Sequence, residues 1–240
     1  GKDKLCVEVK SHANTDGFTM VDDELEELAG QIIEETRYVD NIPIRVSLRE
    51  HQTIGIVGSK EANYYMLRSM LVELTTEHSG KDVHLVGMFE KDSQKYWKDL
   101  RWLPHIWDES GQVRYIAFDE ERRHTVSEFL ADLIRRRKSN SRTETGKKIE
   151  NPLPHYVIVA ENEDILFEEN IYDDLVSNDP SLGITTIILA ENMYDLPQTC
   201  RYIIDLTESP YAFEREKYDE RLYFKQDAPV HMKELESFSR

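Results

Sequence analysis

Residues 53–65, TIGIVGSKEANYY, carry the residue types with which many proteins bind nucleotide phosphates. A β-branched apolar run leads into Gly58, Ser59 and Lys60, and the residues that follow can begin a helix. A working phosphate loop, G-x-x-x-x-G-K-[ST], surrounds phosphate oxygens with backbone N–H groups, neutralises them with its lysine and binds Mg²⁺ through its hydroxyl. The stretch therefore predicts either a nucleotide site or the remains of one.

Two alignments of this stretch on the motif both lose groups that the chemistry requires. Laid without a gap on the common variant T-G-S-G-K-S, Glu61 replaces the lysine and Ala62 replaces the metal-binding hydroxyl. A carboxylate there repels a triphosphate strongly where the effective dielectric is low. Shifting the alignment by one residue restores Lys60, but it shortens the loop and puts Glu61 at the Ser/Thr position. Either way we expect Gly58 to form the turn without the magnesium chemistry.

The second half of such a site would be a strand that ends in Asp-Glu, where Asp holds magnesium and Glu activates water. The segment LPHYVIVAENEDIL has Glu161 and Asn162 at those positions, and asparagine cannot accept a proton from water. A polar sensor after the next strand would be Glu191 or Asn192. We predict no catalytic residue and no bound cofactor. The degenerate nucleotide-site positions are Gly58, Ser59, Lys60, Glu61, Ala62, Glu161 and Asn162.

Lys60 and Glu161 each have a functional and a structural interpretation. Lys60 could contact a phosphate or another anion, but without its hydroxyl neighbour a solvated lysine at a helix start is favoured. Glu161 could hold a metal, but a carboxylate that caps a nearby turn is favoured, because the sequence places no second acidic ligand. The eight histidines show no HExxH or other ligand spacing, so no metal site is predicted.

Two other clusters could bind something. The basic run RRRK, residues 135–138, could meet lipid headgroups or an acidic domain, but we favour a solvated run that complements a helix C-terminus. The tryptophans Trp97, Trp102 and Trp107 could form a ligand platform, but packing in the core or at a domain interface is favoured. Cys6 and Cys200 fit reduced, buried thiols in a cytosolic setting.

The elements that must position these residues alternate between apolar strands and helical segments. Strands are predicted at 5–10, 42–48, 53–57, 83–89, 113–118, 155–160, 183–190, 201–206 and 221–225. Helices are predicted at 21–37, 61–78, within 93–107, behind a capping box of Thr125 and Glu128, at 164–178 and from about residue 230. Continuous apolar strands that alternate with helices indicate an α/β fold, a mostly parallel sheet flanked by helices on both faces.

We predict one domain over residues 1–240. It comprises an N-terminal strand and helix extension (1–40), an α/β core (41–206) with a mobile loop at 138–152, and a C-terminal strand and helix (207–240). The 30 basic and 47 acidic residues give a net charge of −17, which disfavours nucleic acid and anionic lipid as partners. No apolar run approaches the length of about 18 residues that a membrane span needs. The chain is expected to be a fragment of a larger protein.

Four stretches resemble a domain of the type VII secretion ATPases, the membrane-anchored FtsK/SpoIIIE-family proteins called EssC or EccC. They are PIRVSLREHQTIGIVGSKEA, LRWLPH, LPHYVIVAENEDIL and LGITTIILAENMYDLPQTCRYIIDL, in the same order over about residues 40–235. The match is to the first ATPase-like domain after the membrane segment. The resemblance implies a RecA/P-loop-NTPase-like sheet at the cytoplasmic face of the bacterial membrane, in a motor that exports WXG100-type proteins. It implies ATP and Mg²⁺ only in sister domains.

Three functions remain open at this level. The leading hypothesis is a non-catalytic module that braces or couples the membrane segment to the active ATPase domains. A second is an atypical ATPase that completes its site in a full-length oligomer, such as a homo-hexamer. The third is a docking module for secretion substrates or partner subunits. The expected partners are adjacent ATPase domains and other type VII secretion subunits, with membrane attachment through segments outside this chain.

Overall fold

The computed structural model describes residues 3–4, 31, 38–39, 43–97, 101–108, 110–140, 152–167 and 169–226. The chain divides into two compact units, residues 1–45 and 46–240, near the predicted boundary at residue 40. The single-domain organisation of residues 1–240 stays a prediction. In the first unit, Asp3–Lys4 (β1) pairs in antiparallel with Tyr38–Val39 (β2).

Several predicted elements lie outside the described residues. These are the strand at 5–10, nearly all of the helix at 21–37, residues 141–151 of the predicted mobile loop, and the helix from about residue 230.

The second unit is built on an eight-stranded sheet with the order β10-β9-β8-β3-β7-β6-β4-β5. The six strands from β8 to β5 run parallel, and β9 and β10 add in antiparallel at one edge. The prediction of a mostly parallel sheet is therefore confirmed. The strands are Thr53–Val57 (β3), Val83–Met88 (β4), Ile116–Ala117 (β5), His155–Ala160 (β6), Ile184–Ala190 (β7), Tyr202–Asp205 (β8), Tyr211–Glu214 (β9) and Leu222–Tyr223 (β10).

Helices cover both faces of this sheet, as predicted. They are Lys60–Glu77 (α1), Gln94–Trp97 (α2), Glu120–Ser139 (α3), Glu163–Phe167 (α4) and Tyr172–Leu175 (α5). Short 3-10 turns occur at Lys91–Ser93, Pro104–Ile106, Pro180–Leu182, Met193–Asp195 and Arg215–Lys217.

The central strands are buried along their whole length because each face packs against a separate apolar cluster. Ile158 of β6 contributes to the cluster under α3, α4 and α5, whereas its neighbours Val157 and Val159 contribute to the cluster under α1. Alternate side chains of a strand point to opposite faces, so an unbroken apolar run satisfies both clusters. This arrangement brings the carboxyl ends of the parallel strands β3, β4, β6 and β7 together at the same end of the sheet.

Four local predictions are wrong, each for an identifiable reason. Residues 43–48 contain no strand, although their apolar alternation favoured one. Helix α3 begins at Glu120 because the Asp119 side chain accepts a hydrogen bond from Arg122 N, so Thr125 lies within the helix and caps nothing. The helix predicted at 164–178 is two short helices, α4 and α5. No strand was predicted at Tyr211–Glu214, where β9 continues the sheet before β10, which falls within the strand predicted at 221–225.

Candidate functional site

The connection between β3 and α1 consists of Gly58 and Ser59 alone, since the strand ends at Val57 and the helix begins at Lys60. The Gly58 N–H donates to the Ala190 carbonyl of β7 at 3.0 Å. Ser59 is the N-cap of α1, and its Oγ accepts a hydrogen bond from the Ala62 N–H at 3.3 Å. The groups that would face a phosphate in a long glycine-rich loop are thus engaged in capping and strand pairing.

Asn63 fastens this short connection to the sheet. Its side-chain Nδ2 donates to the Gly58 carbonyl at 3.1 Å and to the Ala190 carbonyl at 2.9 Å, and the residue is buried. A Cβ on Gly58 would lie 3.0 Å from the Leu206 Cβ and 3.1 Å from the Asn63 Oδ1. Glycine therefore serves close packing at this position. The prediction that Gly58 forms a tight turn is confirmed. The turn is held in place by the hydrogen bonds of the Asn63 side chain.

Lys60 is held by an internal carboxylate. Its Nζ lies 2.7 Å from the Oε1 of Glu161 and 3.7 Å from the Oδ2 of Asp92. The Glu161 side chain is only 7% exposed, the Lys60 side chain is 35% exposed and Asp92 is 80% exposed. Burial by itself would lower the pKa of Lys60, but the hydrogen bond and charge of Glu161 outweigh it and raise the pKa above its usual value. The ammonium is therefore fully charged and its partner is already present. The favoured interpretation of Lys60 as a solvated lysine is wrong.

Glu161 follows β6 directly and receives two further donors. Its Oε2 accepts the Glu90 N–H at 2.7 Å, and its Oε1 accepts the Ser93 hydroxyl at 2.5 Å. Its own N–H donates to the Met88 carbonyl at the end of β4. Glu90 precedes the 3-10 turn Lys91–Ser93 and Ser93 ends it, so Glu161 holds both ends of that turn. The favoured interpretation, a strand-end carboxylate that caps a nearby turn, stays a prediction.

The remaining predicted positions make structural contacts or face solvent. The Asn162 Oδ1 accepts the Ile165 N–H at 2.9 Å and so caps the start of α4. Glu61 is exposed in the first turn of α1, and Ala62 packs against the apolar cluster beneath that helix. At the sensor position Glu191 and Asn192 are exposed; the Asn192 Nδ2 donates to the Asp195 Oδ2.

Arg137, within the basic run, does not remain in water as predicted. It donates to the carbonyls of Pro154, Leu182 and Gly183, which precede β6 and β7. Burial lowers the pKa of Arg137. Lys138, by contrast, pairs with Asp174 at 2.5 Å on the surface. Within the basic run, Arg137 therefore holds the amino ends of two strands.

The tryptophans have three different environments. Trp97 is in the core, as favoured, and stacks on Phe89 with ring centroids 4.1 Å apart. Trp107 is partly buried against the same cluster. Trp102 is 44% exposed, with the guanidinium groups of Arg101 and Arg114 at 5.0 and 5.6 Å from its ring. Cys200 is buried and free, and burial raises the pKa of its thiol to about 12, as expected for an inert reduced cysteine.

The residues at the carboxyl ends of these strands lack several groups with which a phosphate loop binds Mg²⁺ and ATP. The two-residue connection is too short to surround phosphate oxygens with backbone N–H groups, the hydroxyl that would bind Mg²⁺ is replaced by Ala62 or Glu61, and Lys60 is already neutralised by Glu161. Among the described residues, no group of three or more His, Cys, Asp or Glu side chains is placed to hold a metal ion. In the same part of the chain, no helix is long and apolar enough to cross a membrane.

Sequence reasoning identified Lys60 and Glu161 but not the groups around them. Ser93 and the Glu90 N–H come from the turn after β4, and only the folded sheet brings them next to Glu161. Asn63 carried one readable signal, a polar residue one turn into α1 on the face that packs against the sheet.

The fold is an α/β fold, with a central, mostly parallel sheet and helices on both faces. One solved structure with this fold is that of EssC (ATPases 2 and 3) from Geobacillus thermodenitrificans, with a TM-score of 0.60 and 14% identity. The alignment covers 86% of this chain and 45% of that one.

Two curated proteins with which this chain shares sequence similarity belong to type VII secretion systems of bacteria. An ESX secretion system protein EccC of Geobacillus thermodenitrificans is 24% identical over 194 residues, and the YukB protein of Bacillus subtilis is 26% identical over 166 residues. These alignments cover 81% and 69% of this chain, but the chain spans only 12% and 11% of those relatives. No family model matches the chain. The chain is a relative of the type VII secretion ATPases of the EccC/EssC group. Its assignment to the first domain after the membrane segment stays a prediction.

Proposed function

We propose that this chain is a non-catalytic, ATPase-like module of a type VII secretion motor. It would brace or transmit movement between the membrane segment and the active ATPase domains of a longer protein. The observation that carries the proposal is the closed strand–helix junction, in which Lys60 is neutralised by Glu161 and only two residues connect β3 to α1. A module with this junction keeps the shape of a motor domain without a place for the triphosphate.

The setting of the proposed module follows from its relatives, which are multidomain secretion ATPases. We propose that its partners are adjacent ATPase domains of the same chain and other type VII secretion subunits, within a motor that exports WXG100-type proteins. The full-length protein would form a hexamer at the cytoplasmic face of the membrane. ATP and Mg²⁺ would act in the sister domains.

Calorimetric titration of Mg²⁺–ATP into the 240-residue chain tests the non-catalytic role. We expect no saturable heat up to millimolar nucleotide, and the same result for the Lys60→Ala variant, because Lys60 has no phosphate to bind. Micromolar binding that is lost in Lys60→Ala, accompanied by phosphate release, would instead support an atypical ATPase and overturn the proposal.

A further inference from the structure

Three donors from two separate segments converge on the Glu161 carboxylate. They are the Lys60 ammonium at the start of α1, the Glu90 N–H before the 3-10 turn and the Ser93 hydroxyl within that turn, at 2.7, 2.7 and 2.5 Å. A lysine, a backbone amide and a hydroxyl are the groups that bind phosphate and sulfate oxygens in proteins. The Glu161 side chain is 7% exposed and is therefore enclosed by the protein, whereas the Lys60 side chain is 35% exposed.

Each donor belongs to an element that the rest of the fold fixes independently of Glu161. Ser59 caps α1 and thereby sets the position of Lys60, while the Phe89 N–H, paired with the Ala117 carbonyl, sets the chain that leads into Glu90. Ser93 is fully buried, at 0% exposure. Removing the Glu161 side chain would therefore leave the donors in place without an acceptor.

We infer that Glu161 acts as a built-in anion, filling a latent site for phosphate or sulfate that Lys60, the Glu90 N–H and Ser93 form. The inference deepens the proposed function, on which it rests. The latent anion site is thus occupied by a side chain of the same chain. The junction of β4, β6 and α1 is thereby tied together without nucleotide.

Two carboxylates near the latent site, those of Asp92 and Glu61, affect which anions it can bind. Asp92 lies 3.7 Å from the Lys60 Nζ, but it is 80% exposed, so solvent screens its repulsion of an incoming anion. Glu61 is exposed at the same helix end. A small dianion such as sulfate satisfies the three donors, whereas a nucleoside triphosphate needs the longer loop that this chain lacks.

Sulfate rescue of the Glu161→Ala variant of the 240-residue chain tests the inference. The probe is sodium sulfate against sodium chloride at matched ionic strength, with thermal unfolding as the readout. We expect Glu161→Ala to melt lower than the parent chain in chloride. At a sulfate concentration about ten times a dissociation constant of ~1 mM, the folded state is favoured about elevenfold. That stabilisation raises the Tm of the variant by about 3–6 °C for a chain of this size.

Three controls separate specific binding from the general stabilisation that sulfate gives every protein. The parent chain and Glu161→Gln should show only the general effect, because a carboxylate or an amide still fills the site. The double variant Lys60→Ala/Glu161→Ala should also show only that effect, because it lacks the ammonium. If Glu161→Ala is unfolded in chloride, the same comparison is made by sulfate-induced refolding, followed by circular dichroism.

An equal response of all four proteins to sulfate would overturn the inference, because Glu161 would then be an ordinary ion-pair partner. That result would leave the non-catalytic role untouched, since it says nothing about nucleotide. Conversely, Mg²⁺–ATP binding by the parent chain would overturn the proposed function even if sulfate rescued the variant.

Discussion

The carboxyl ends and the amino ends of the central strands are held by different kinds of contact. At the carboxyl ends of β3 and β6, a charged pair, Lys60 and Glu161, joins two loops. At the amino ends of β6 and β7, the Arg137 guanidinium donates to three backbone carbonyls. His155 lies buried nearby, with its Nε2 2.9 Å from the Thr185 Oγ1. Since the Thr185 hydroxyl donates to the Leu48 carbonyl, the His155 Nε2 donates to the Thr185 oxygen.

Under the proposed function, this difference marks the carboxyl end as the former ligand site. The amino end ties backbone to side chain, which serves stability alone. The carboxyl end brings together a cation, an amide and a hydroxyl around an anionic group, which is the composition of a ligand site. In open α/β folds ligands bind at the carboxyl ends of the strands, and the Lys60–Glu161 pair lies at these ends.

Arg137→Ala should have the largest effect on stability, and it tests the amino end. The change leaves the carbonyls of Pro154, Leu182 and Gly183 without their charged donor, which costs about 3 kcal/mol of unfolding free energy. Urea unfolding measures the loss. The matched control is Arg135→Ala on the same helix, whose exposed pair with Asp132 contributes less than about 0.5 kcal/mol. Equal losses for both variants would show that the amino end is not clamped by Arg137.

His155 should make the amino end sensitive to acid. Burial, followed by the charges of Arg137 and Arg49, lowers the pKa of His155 from 6.5 to about 4. Between these two pKa values the unfolded chain binds a proton at His155 that the folded chain does not bind. The contribution of neutral His155 to the unfolding free energy is therefore fully present above pH about 6.5 and is lost as the pH drops towards 4. The loss attributable to His155 reaches about 3 kcal/mol at the acid end.

Unfolding free energies measured across this pH range for His155→Gln and His124→Gln check the assignment. His155→Gln should flatten the acid slope. His124 is exposed on α3, so its variant should keep the slope of the parent chain. A steep slope that persists in His155→Gln would place the acid sensitivity elsewhere.

Glu161→Gln should have an intermediate effect at the carboxyl end. The amide keeps the shape of the side chain but leaves the Lys60 ammonium without its counter-charge, at a cost of about 2 kcal/mol for a partly exposed partner. Chemical denaturation of Glu161→Gln beside Glu191→Gln, an exposed residue at the end of β7, isolates this contribution. A loss no greater than that of Glu191→Gln would mean that the charge pair contributes nothing.

Asp119→Ala should have the smallest effect and lies away from both strand ends. Asp119 accepts the Arg122 N–H at 2.9 Å and caps α3, so its removal costs about 1 kcal/mol. Thr125→Ala should change stability little, because the Thr125 hydroxyl only donates a hydrogen bond to the Glu121 carbonyl inside the helix. A larger loss for Thr125→Ala would restore the capping box that the sequence suggested.

The central sheet could be predicted from the sequence because its strands are apolar on both faces. Runs such as HYVIVA and ITTIILA have no other stable location than between two layers of helices. The antiparallel strands at the edge of the sheet were not predictable in the same way. The segment YAFE of β9 pairs in antiparallel with β8. The position of β9 beside β8 is set by the turn at Asp205, whose carboxylate accepts hydrogen bonds from the Thr207 N–H and the Tyr211 hydroxyl.

The candidate site could be predicted only as a set of separate positions. Substitution of the motif residues at Glu61 and Ala62 was readable from the local sequence alone. The pairing of Lys60 with Glu161 was not, because their proximity depends on the strand order, which brings the ends of distant segments to one edge. A strand-end carboxylate can cap, bind metal or pair, and only its neighbours decide among these.

A crystal structure of the 240-residue chain soaked with Mg²⁺ and a non-hydrolysable ATP analogue tests most directly whether the carboxyl end is closed from within. We expect Lys60 to remain on Glu161, with no nucleotide against Gly58 and Ser59. Density for a triphosphate beside Gly58, with Lys60 turned from Glu161 towards the phosphates, would contradict a site that is filled by the chain itself.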